Sequence, residues 1–88
     1  MSALLFRVTG GFSVGKRGYV ITGLVDRSQS PLPGVGDSIE IRFPGGSSAH
    51  ASILGIEGPA HAVVNGMNYG IMIPPRQQKI PAGAEVWF

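Results

Sequence analysis

Cysteine is absent from the 88-residue sequence, which excludes disulfide bonds and thiolate metal sites. Charge is scarce as well: charged residues make up 14% of the chain and the formal net charge is +2, far below that of a dedicated nucleic-acid binder. No apolar run is long enough to span a membrane, and the N-terminus lacks the basic start of a signal peptide. We therefore expect a soluble, cytoplasmic protein with no membrane partner.

Helical periodicity is also missing, because no stretch carries apolar residues at the spacing of an amphipathic helix over three turns. In its place, 14 glycines and 7 prolines divide the chain into short segments rich in β-branched residues. Hydrophobic residues make up 43% of the chain, which argues against global disorder. The sequence predicts one all-β domain over residues 1–88.

Six short antiparallel strands are predicted, and strands of this number and length favour a small closed barrel without exposed edges. The clearest segment alternates Ile39, Ile41 and Phe43 toward the core with polar residues between them. Gly55 predicts a β-bulge, and Asn65-Gly66 predicts a turn. The predicted strands are residues 3–8, 17–26, 38–43, 49–57, 69–73 and 84–88.

The second predicted strand has apolar residues at both alternating positions. Tyr19, Ile21 and Val25 lie on one side, while Val20 and Leu24 lie on the other. This pattern is typical of a strand that is covered on both faces or bends round a barrel.

The segment GGFSVGKR, from Gly10 to Arg17, matches the opening of a phosphate-binding loop. However, Arg17 stands where a Ser or Thr should coordinate magnesium, and the β-type residues that follow do not open a helix. We predict a glycine-rich hairpin loop between two strands, with the first strand ending at Gly10-Gly11 and no nucleotide bound.

Signatures of catalysis are weak. Ser13 lies in Gly11-Phe12-Ser13-Val14-Gly15, which matches G-x-S-x-G, but no His-Asp pairing can be argued and the β-type residues that follow do not open a helix. Two histidines, His50 and His61, without cysteine or a nearby carboxylate pair make a poor metal site. We therefore predict a protein that is not an enzyme, with no metal or cofactor, and with both histidines at the surface or in loops.

The cations form two small clusters along the chain. Arg7, Lys16 and Arg17 lie in the first twenty residues with no acid among them, and Arg76 lies near Lys79. If the fold brings the clusters together they form a basic patch; otherwise they are scattered solubilising charges.

Aromatic side chains could form a base-stacking surface beside Lys16 and Arg17. Small barrels bind single-stranded nucleic acid by stacking bases on such rings. Phe43 is assigned to the core, whereas Phe12 and Trp87 are predicted surface aromatics that either stack bases or anchor a protein partner. The candidate rings are Phe12, Tyr19, Phe43, Tyr69 and Trp87.

Taken in order, these segments resemble the second domain of translational GTPases such as elongation factor Tu, which is a six-stranded β-barrel. The most specific part is Arg-Gly-x-Val-x-Thr-Gly-x-Val, which begins at Arg17. The matching segments are residues 12–14, 18–27, 36–41, 51–57, 66, 69–71 and 80–86. The chain lacks a GTP-binding domain, so the resemblance implies a stand-alone barrel that binds no nucleotide by itself.

In that family the barrel contacts the 3′ end of aminoacyl-tRNA, ribosomal RNA or protein partners. Glu57 matches a glutamate of the pocket for the terminal adenosine, and a carboxylate can accept a hydrogen bond from a ribose 2′-hydroxyl. The chain continues with Gly58-Pro59-Ala60, where the family has Met, an aromatic or His, and a basic residue.

The resemblance implies a non-enzymatic module that recognises tRNA, ribosomal RNA or another translation component through Phe12, Lys16, Arg17 and Glu57. The alternative is a protein-interaction or accessory module that has lost the RNA contacts, with Trp87 or Phe12 as its anchor. Steep salt dependence is expected for RNA binding, and salt tolerance is expected for a protein partner.

Overall fold

A computed structural model of the protein describes residues 3–25, 32–57, 62–63 and 66–88. Within these ranges the chain forms strands joined by turns, and no helix has the length and apolar character needed to cross a membrane. The strands are β1 (Leu4–Val14), β2 (Gly18–Val25), β3 (Ser38–Arg42), β4 (Ser48–Ser52), β5 (Gly55–Ile56), β6 (Ala62–Val63), β7 (Gly66–Ile73) and β8 (Glu85–Trp87).

The strands pair in one antiparallel sheet, which confirms the predicted all-β architecture. Their order is β4-β3-β8-β1-β2-β7-β5, and β6 pairs with β7 off this path. Strand β1 is long enough to pair with β8 near its start and with β2 near its end. It therefore joins the part of the sheet formed by β4, β3 and β8 to the part formed by β2, β7 and β5.

The core lies on the inner face of this sheet and is built mainly from isoleucine and valine. Ile21, Ile41, Ile71 and Val86 have no exposed surface. Directly paired residues point to the same face, so the pairing of Ile21 with Ile71 identifies the inward positions of β2 and β7.

Two tyrosines that the sequence offers for base stacking lie in this core instead. Tyr19 is 2% exposed and its hydroxyl accepts a hydrogen bond from the Ile80 N–H at 3.1 Å. Tyr69 is 6% exposed and donates to the Pro33 carbonyl at 3.3 Å. Burial raises the pKa of the Tyr69 phenol above its ordinary value. Neither ring is available to a nucleobase.

Strand β3 confirms the predicted alternation. Ile39 and Ile41 are buried, and Glu40 and Arg42 point to the outer face between them. Phe43 follows the strand and packs, half-buried, against the core as predicted.

The prediction that the first strand ends at Gly10-Gly11 is wrong, because β1 continues to Val14. Gly11 pairs with Ile21 inside the ladder, and a Cβ there would lie 2.8 Å from the Tyr19 hydroxyl oxygen. Glycine at this position therefore makes room for a core tyrosine and does not terminate the strand. Phe12 accordingly lies in a strand and not in a glycine loop.

The predicted strand over residues 49–57 is divided into β4 and β5 by Ile53 and Leu54. The Ile53 N–H donates to the Asp37 carbonyl at 2.9 Å, whereas the Leu54 N–H donates to the Met72 carbonyl at 2.7 Å. The chain thus changes partner from the β3 side to β7. The predicted shift in pattern is present, since Ile56 still packs on the core, but it occurs before Gly55.

Other boundaries differ by a few residues. Strand β2 begins at Gly18 and ends at Val25, and Asp26 lies outside the described residues. Strand β7 begins at Gly66, three residues earlier than predicted, and Asn65 of the predicted turn lies outside the described residues.

Candidate binding surface

The segment that resembles a phosphate loop is the hairpin between β1 and β2. Val14 pairs with Gly18, the Arg17 N–H donates to the Val14 carbonyl at 2.9 Å, and Gly15 adopts φ = 53°. A strand follows the turn, so the anion-binding N-terminus of a helix is missing here. Lys16 and Arg17 are exposed at the hairpin tip, and neither forms an ion pair within the described part of the chain.

Phe12 lies on the outer face of the sheet, within reach of this tip. It pairs with Val20, Val20 pairs with Met72, and Met72 pairs with Gly55. We call these four residues the apolar row. Because the neighbouring row of Gly11, Ile21, Ile71 and Ile56 faces the core, the apolar row faces outward.

The members of the apolar row differ in exposure. Val20 and Met72 are buried even though they lie outside the main core cluster, whereas Phe12 is 55% exposed. Gly18 contributes to this burial, because a Cβ there would lie 2.7 Å from Met72 Cγ. The apolar row therefore has two buried side chains in its middle, Val20 and Met72, and an exposed aromatic ring, Phe12, at one end.

Glu57 lies on the same outer face at the opposite side of the row. Its N–H donates to the Gly70 carbonyl at 2.8 Å, and a Cβ on Gly70 would lie 3.1 Å from Glu57 Cβ and 3.6 Å from Val20 Cγ1. Glu57 is exposed. Three strand spacings separate it from Phe12, which is about 14 Å across the sheet.

Two further cations lie at the end of the sheet where the hairpin tip is found. Arg76 and Lys79 follow β7, whose last residue, Ile73, pairs with Tyr19 at the start of β2. The Ile80 hydrogen bond to the Tyr19 hydroxyl ties this segment to β2. We call Lys16, Arg17, Arg76 and Lys79 the basic end.

Arg7 does not belong to the basic end, so the N-terminal cations do not form one patch. It lies nine residues before Lys16, which is about 30 Å along an extended strand. Its Nε is 3.5 Å from Glu85 Oε2, so its charge is already paired.

Trp87 lies on another part of the outer face. It pairs with Glu40 and with Leu4, whereas Phe12 lies eight residues farther along β1, about 26 Å away along the strand. The Arg42 guanidinium stacks 3.9 Å from the centroid of the Trp87 ring, and the indole Nε1 donates to Glu85 Oε1 at 3.0 Å. The structure therefore separates Trp87 from Phe12 and from Lys16 and Arg17 at the hairpin tip.

Arg42 and Trp87 belong to a continuous set of charge contacts, which we call the Trp87 network: Arg7, Glu40, Arg42, Glu85 and Trp87. Arg42 Nη2 is 3.1 Å from Glu40 Oε1. This hydrogen bond lowers the pKa of the Glu40 carboxyl below its ordinary value, and the positive charges of Arg42 and His50 act in the same direction. The aromatic ring is thus covered on one face by an internal cation.

Within the described ranges, no group of three His, Asp or Glu side chains is arranged to hold a metal ion. His50 is exposed on β4, as predicted for a surface histidine, and His61 lies outside the described residues.

Sequence reasoning missed the apolar row and the role of Arg42. Apolar residues at both positions of β2 indicated cover on two faces; Val20 fits this expectation, whereas Leu24 is 49% exposed. The Trp87 network depends on the pairing of β3 with β8, which are more than forty residues apart in the chain, so no local pattern signals it.

Comparison of the chain with models of protein families, with curated proteins and with solved structures found no match.

Proposed function

We propose that this protein is a non-enzymatic binding module that holds tRNA or ribosomal RNA across the basic end, Phe12 and Glu57. We further propose that it is related to the second domain of translational GTPases and acts in the cytoplasm. The observation that carries the proposal is the ladder register of β1, β2 and β7, which supports an exposed aromatic ring on the hairpin whose tip carries Lys16 and Arg17.

Phosphate contacts are the first of three steps in the proposed RNA binding. Lys16, Arg17 and Lys79 are exposed, so their charges are available to replace counterions along an RNA backbone. Asp37, by contrast, uses a carboxylate oxygen to accept the Gly34 N–H at 2.8 Å, and Glu40 and Glu85 lie in the Trp87 network. The carboxylates of these three acids are thus already bound to other groups of the protein.

Base stacking is the second step. Phe12 lies beside its buried cross-strand partner Val20 and exposes its ring to solvent near the hairpin tip. A base that stacks on such a ring gains about 1–3 kcal/mol, and it needs no sequence-specific contact.

Recognition of the ribose is the third step. Glu57 is held by its backbone bond to Gly70 on the face that carries Phe12, and its carboxylate is exposed. A carboxylate accepts a hydrogen bond from the 2′-hydroxyl, the group that distinguishes RNA from DNA.

We also propose that the sheet closes into a barrel through residues 48–57. β4 is bonded to β3 and β5 to β7, so the two ends of the sheet order are joined by only Ile53 and Leu54. Closure would hold the curvature of β1, β2 and β7 and so fix the distance between Phe12 and Glu57.

The test is a fluorescence titration of the protein with unfractionated tRNA at several salt concentrations. We expect Arg17→Ala to weaken binding and to reduce the slope of log affinity against log salt by about 0.7, the value for one lost single-strand phosphate contact. The matched control is Arg7→Ala, which removes the same charge from a side chain already paired with Glu85.

Arg7→Ala should leave both the affinity and the slope close to those of the parent protein. Equal losses in the two variants would mean that only net charge matters, and absence of salt-dependent binding to tRNA would contradict the proposal.

A protein partner is the second candidate function, and exposed apolar side chains favour it. Besides Phe12, Leu24 is 49% and Leu54 46% exposed, and aromatic side chains such as Phe12 are enriched at protein interfaces. A pull-down from cell extract with and without nuclease separates the two functions. A protein recovered equally in both samples, and lost on Phe12→Ala, would favour this candidate.

A further inference from the structure

Strand β4 ends the sheet order, and one of its edges pairs with no strand among the described residues. The Phe43 N–H donates to the Ser47 carbonyl at 2.8 Å and the Ile53 N–H to the Asp37 carbonyl at 2.9 Å. Because bonded pairs alternate in an antiparallel ladder, Ala49 and Ala51 use their backbone groups toward β3. The backbone groups of Ser48, His50 and Ser52 therefore face away from β3.

Nothing in the described ranges occupies this edge. Strand β7 ends at Ile73, and the neighbouring chain that contacts it begins only at Leu54, so β4 extends past the end of β7. Proteins commonly protect such an edge with lysine, proline or a bulge. β4 contains none of these protective features: its sequence is Ser-Ala-His-Ala-Ser, and its ladder with β3 is regular.

We propose that β4 pairs antiparallel with β4 of a second copy of this chain, with the two-fold axis at His50. The sequence of β4 reads the same in both directions around His50. An antiparallel two-fold therefore places Ser48 opposite Ser52, Ala49 opposite Ala51, and His50 opposite its own copy.

This register satisfies the unused backbone groups. His50 exchanges two N–H···O=C bonds with its copy, and each Ser48–Ser52 pair exchanges two more, about six bonds in all. The side chains that face one another on either side of His50 are serine and alanine, which are small and carry no charge. A strand from another protein would not carry the same palindromic sequence, so a second copy of this chain fits this edge best.

The absence of cysteine makes the register directly testable by cross-linking. In the proposed pair the two Cα atoms at residue 50 are about 5.5 Å apart, within the range that a disulfide spans. We expect His50→Cys to form a disulfide-linked dimer under mild oxidation about tenfold faster than Val35→Cys, the matched control in an exposed loop.

Two further variants fix the direction of pairing. Ser48→Cys and Ser52→Cys should cross-link with each other when mixed, but neither with itself, because equivalent Cα atoms would be about 13 Å apart. Equal rates for His50→Cys and Val35→Cys, or self-linking of Ser48→Cys as fast as in the mixture, would overturn the proposal.

A measurement on the unmodified chain guards against altered folding of the variants. Amide hydrogen exchange at Ser48, His50 and Ser52 should slow as the protein concentration rises, while Ala49 and Ala51 are protected at every concentration. Exchange at the first three amides that does not depend on concentration would also overturn the proposal.

Discussion

The outer face of the sheet has two regions that contain the same kinds of residues in opposite states. In the region of β3, β8 and the start of β1, every charged residue belongs to the Trp87 network and the aromatic ring lies under Arg42. In the region of β2, β7, β5 and the end of β1, Lys16 and Arg17 are exposed without an ion pair among the described residues. The Phe12 ring there is open to solvent.

This difference teaches which aromatic and basic residues are available to a ligand. A ligand at Trp87 must first displace Arg42 and break its hydrogen bond to Glu40, whereas a ligand at Phe12 displaces only water and counterions. Residue type alone would assign both regions to ligand binding. The contacts that each side chain makes within the protein favour only the region that contains Phe12, Lys16 and Arg17.

The largest expected effect comes from breaking the junction between the two regions. At Gly23, which pairs with Val8 where β1 passes from β8 to β2, a Cβ would overlap the Phe6 ring and lie 2.5 Å from the Arg7 carbonyl oxygen. We expect Gly23→Ala to lower the free energy of unfolding by about 3 kcal/mol, at the upper end for overpacking. Urea denaturation measures this change.

The control for this substitution is Gly34→Ala, where a Cβ meets no atom within 4 Å. It should change the free energy of unfolding by less than about 0.5 kcal/mol. Equal effects of the two substitutions would mean that Gly23 is not closely packed.

The next effect sharpens the contrast between the two aromatic residues. Phe12→Ala should weaken RNA binding by roughly five- to a hundredfold through lost stacking, while unfolding changes by less than about 0.5 kcal/mol. Trp87→Ala should instead reduce stability without affecting RNA binding. It should lower stability by about 1–2 kcal/mol, because it removes the Arg42 stacking and the Glu85 hydrogen bond, and leave RNA affinity unchanged.

Thermal denaturation and RNA titration of the two variants, measured side by side, check this prediction. Loss of RNA binding in Trp87→Ala but not in Phe12→Ala would reverse our assignment of the two regions.

The smallest effect is a pH dependence confined to the Trp87 network. The lowered pKa of Glu40 adds stability that is present above the carboxyl's unfolded pKa, near 4.5, and is lost as the pH falls through the folded value. We expect Arg42→Gln to return the Glu40 pKa toward 4.5, since the Arg42 hydrogen bond is its main cause. Carboxyl NMR titration follows this residue directly.

Arg17→Gln removes the same charge at the hairpin tip and should leave the Glu40 titration unchanged. An equal shift in both variants would show that the Glu40 pKa reports net charge and not the contact with Arg42.

The sequence predicts those parts of the fold whose signal is local. The alternation of Ile39 and Ile41 identifies β3, and the turn at Gly15 follows from a glycine between two β-type segments. The error in β1 has a physical cause: Gly10 and Gly11 look like terminators, but at Gly11 the glycine accommodates Tyr19, which is distant in sequence and adjacent in the sheet.

The candidate site was predictable in part for the same reason. Phe12, Lys16 and Arg17 are neighbours in sequence and stay near one another on the hairpin. Trp87 is separated from them because β8 pairs with the start of β1, where Trp87 lies opposite Leu4. Arg42 reaches Trp87 only because β3 pairs with β8. Such information is a property of strand register, which a single sequence does not encode locally.

The passage of the chain from β3 to β7 at Ile53 and Leu54 makes the length of this short link critical. Inserting one residue there would leave the β3 ladder intact but slide β5 by one position against β7, turning Ile56 to solvent and the Glu57 carboxylate toward the isoleucines. Natural variants of this protein should therefore tolerate substitution at residue 54 far better than insertion or deletion beside it.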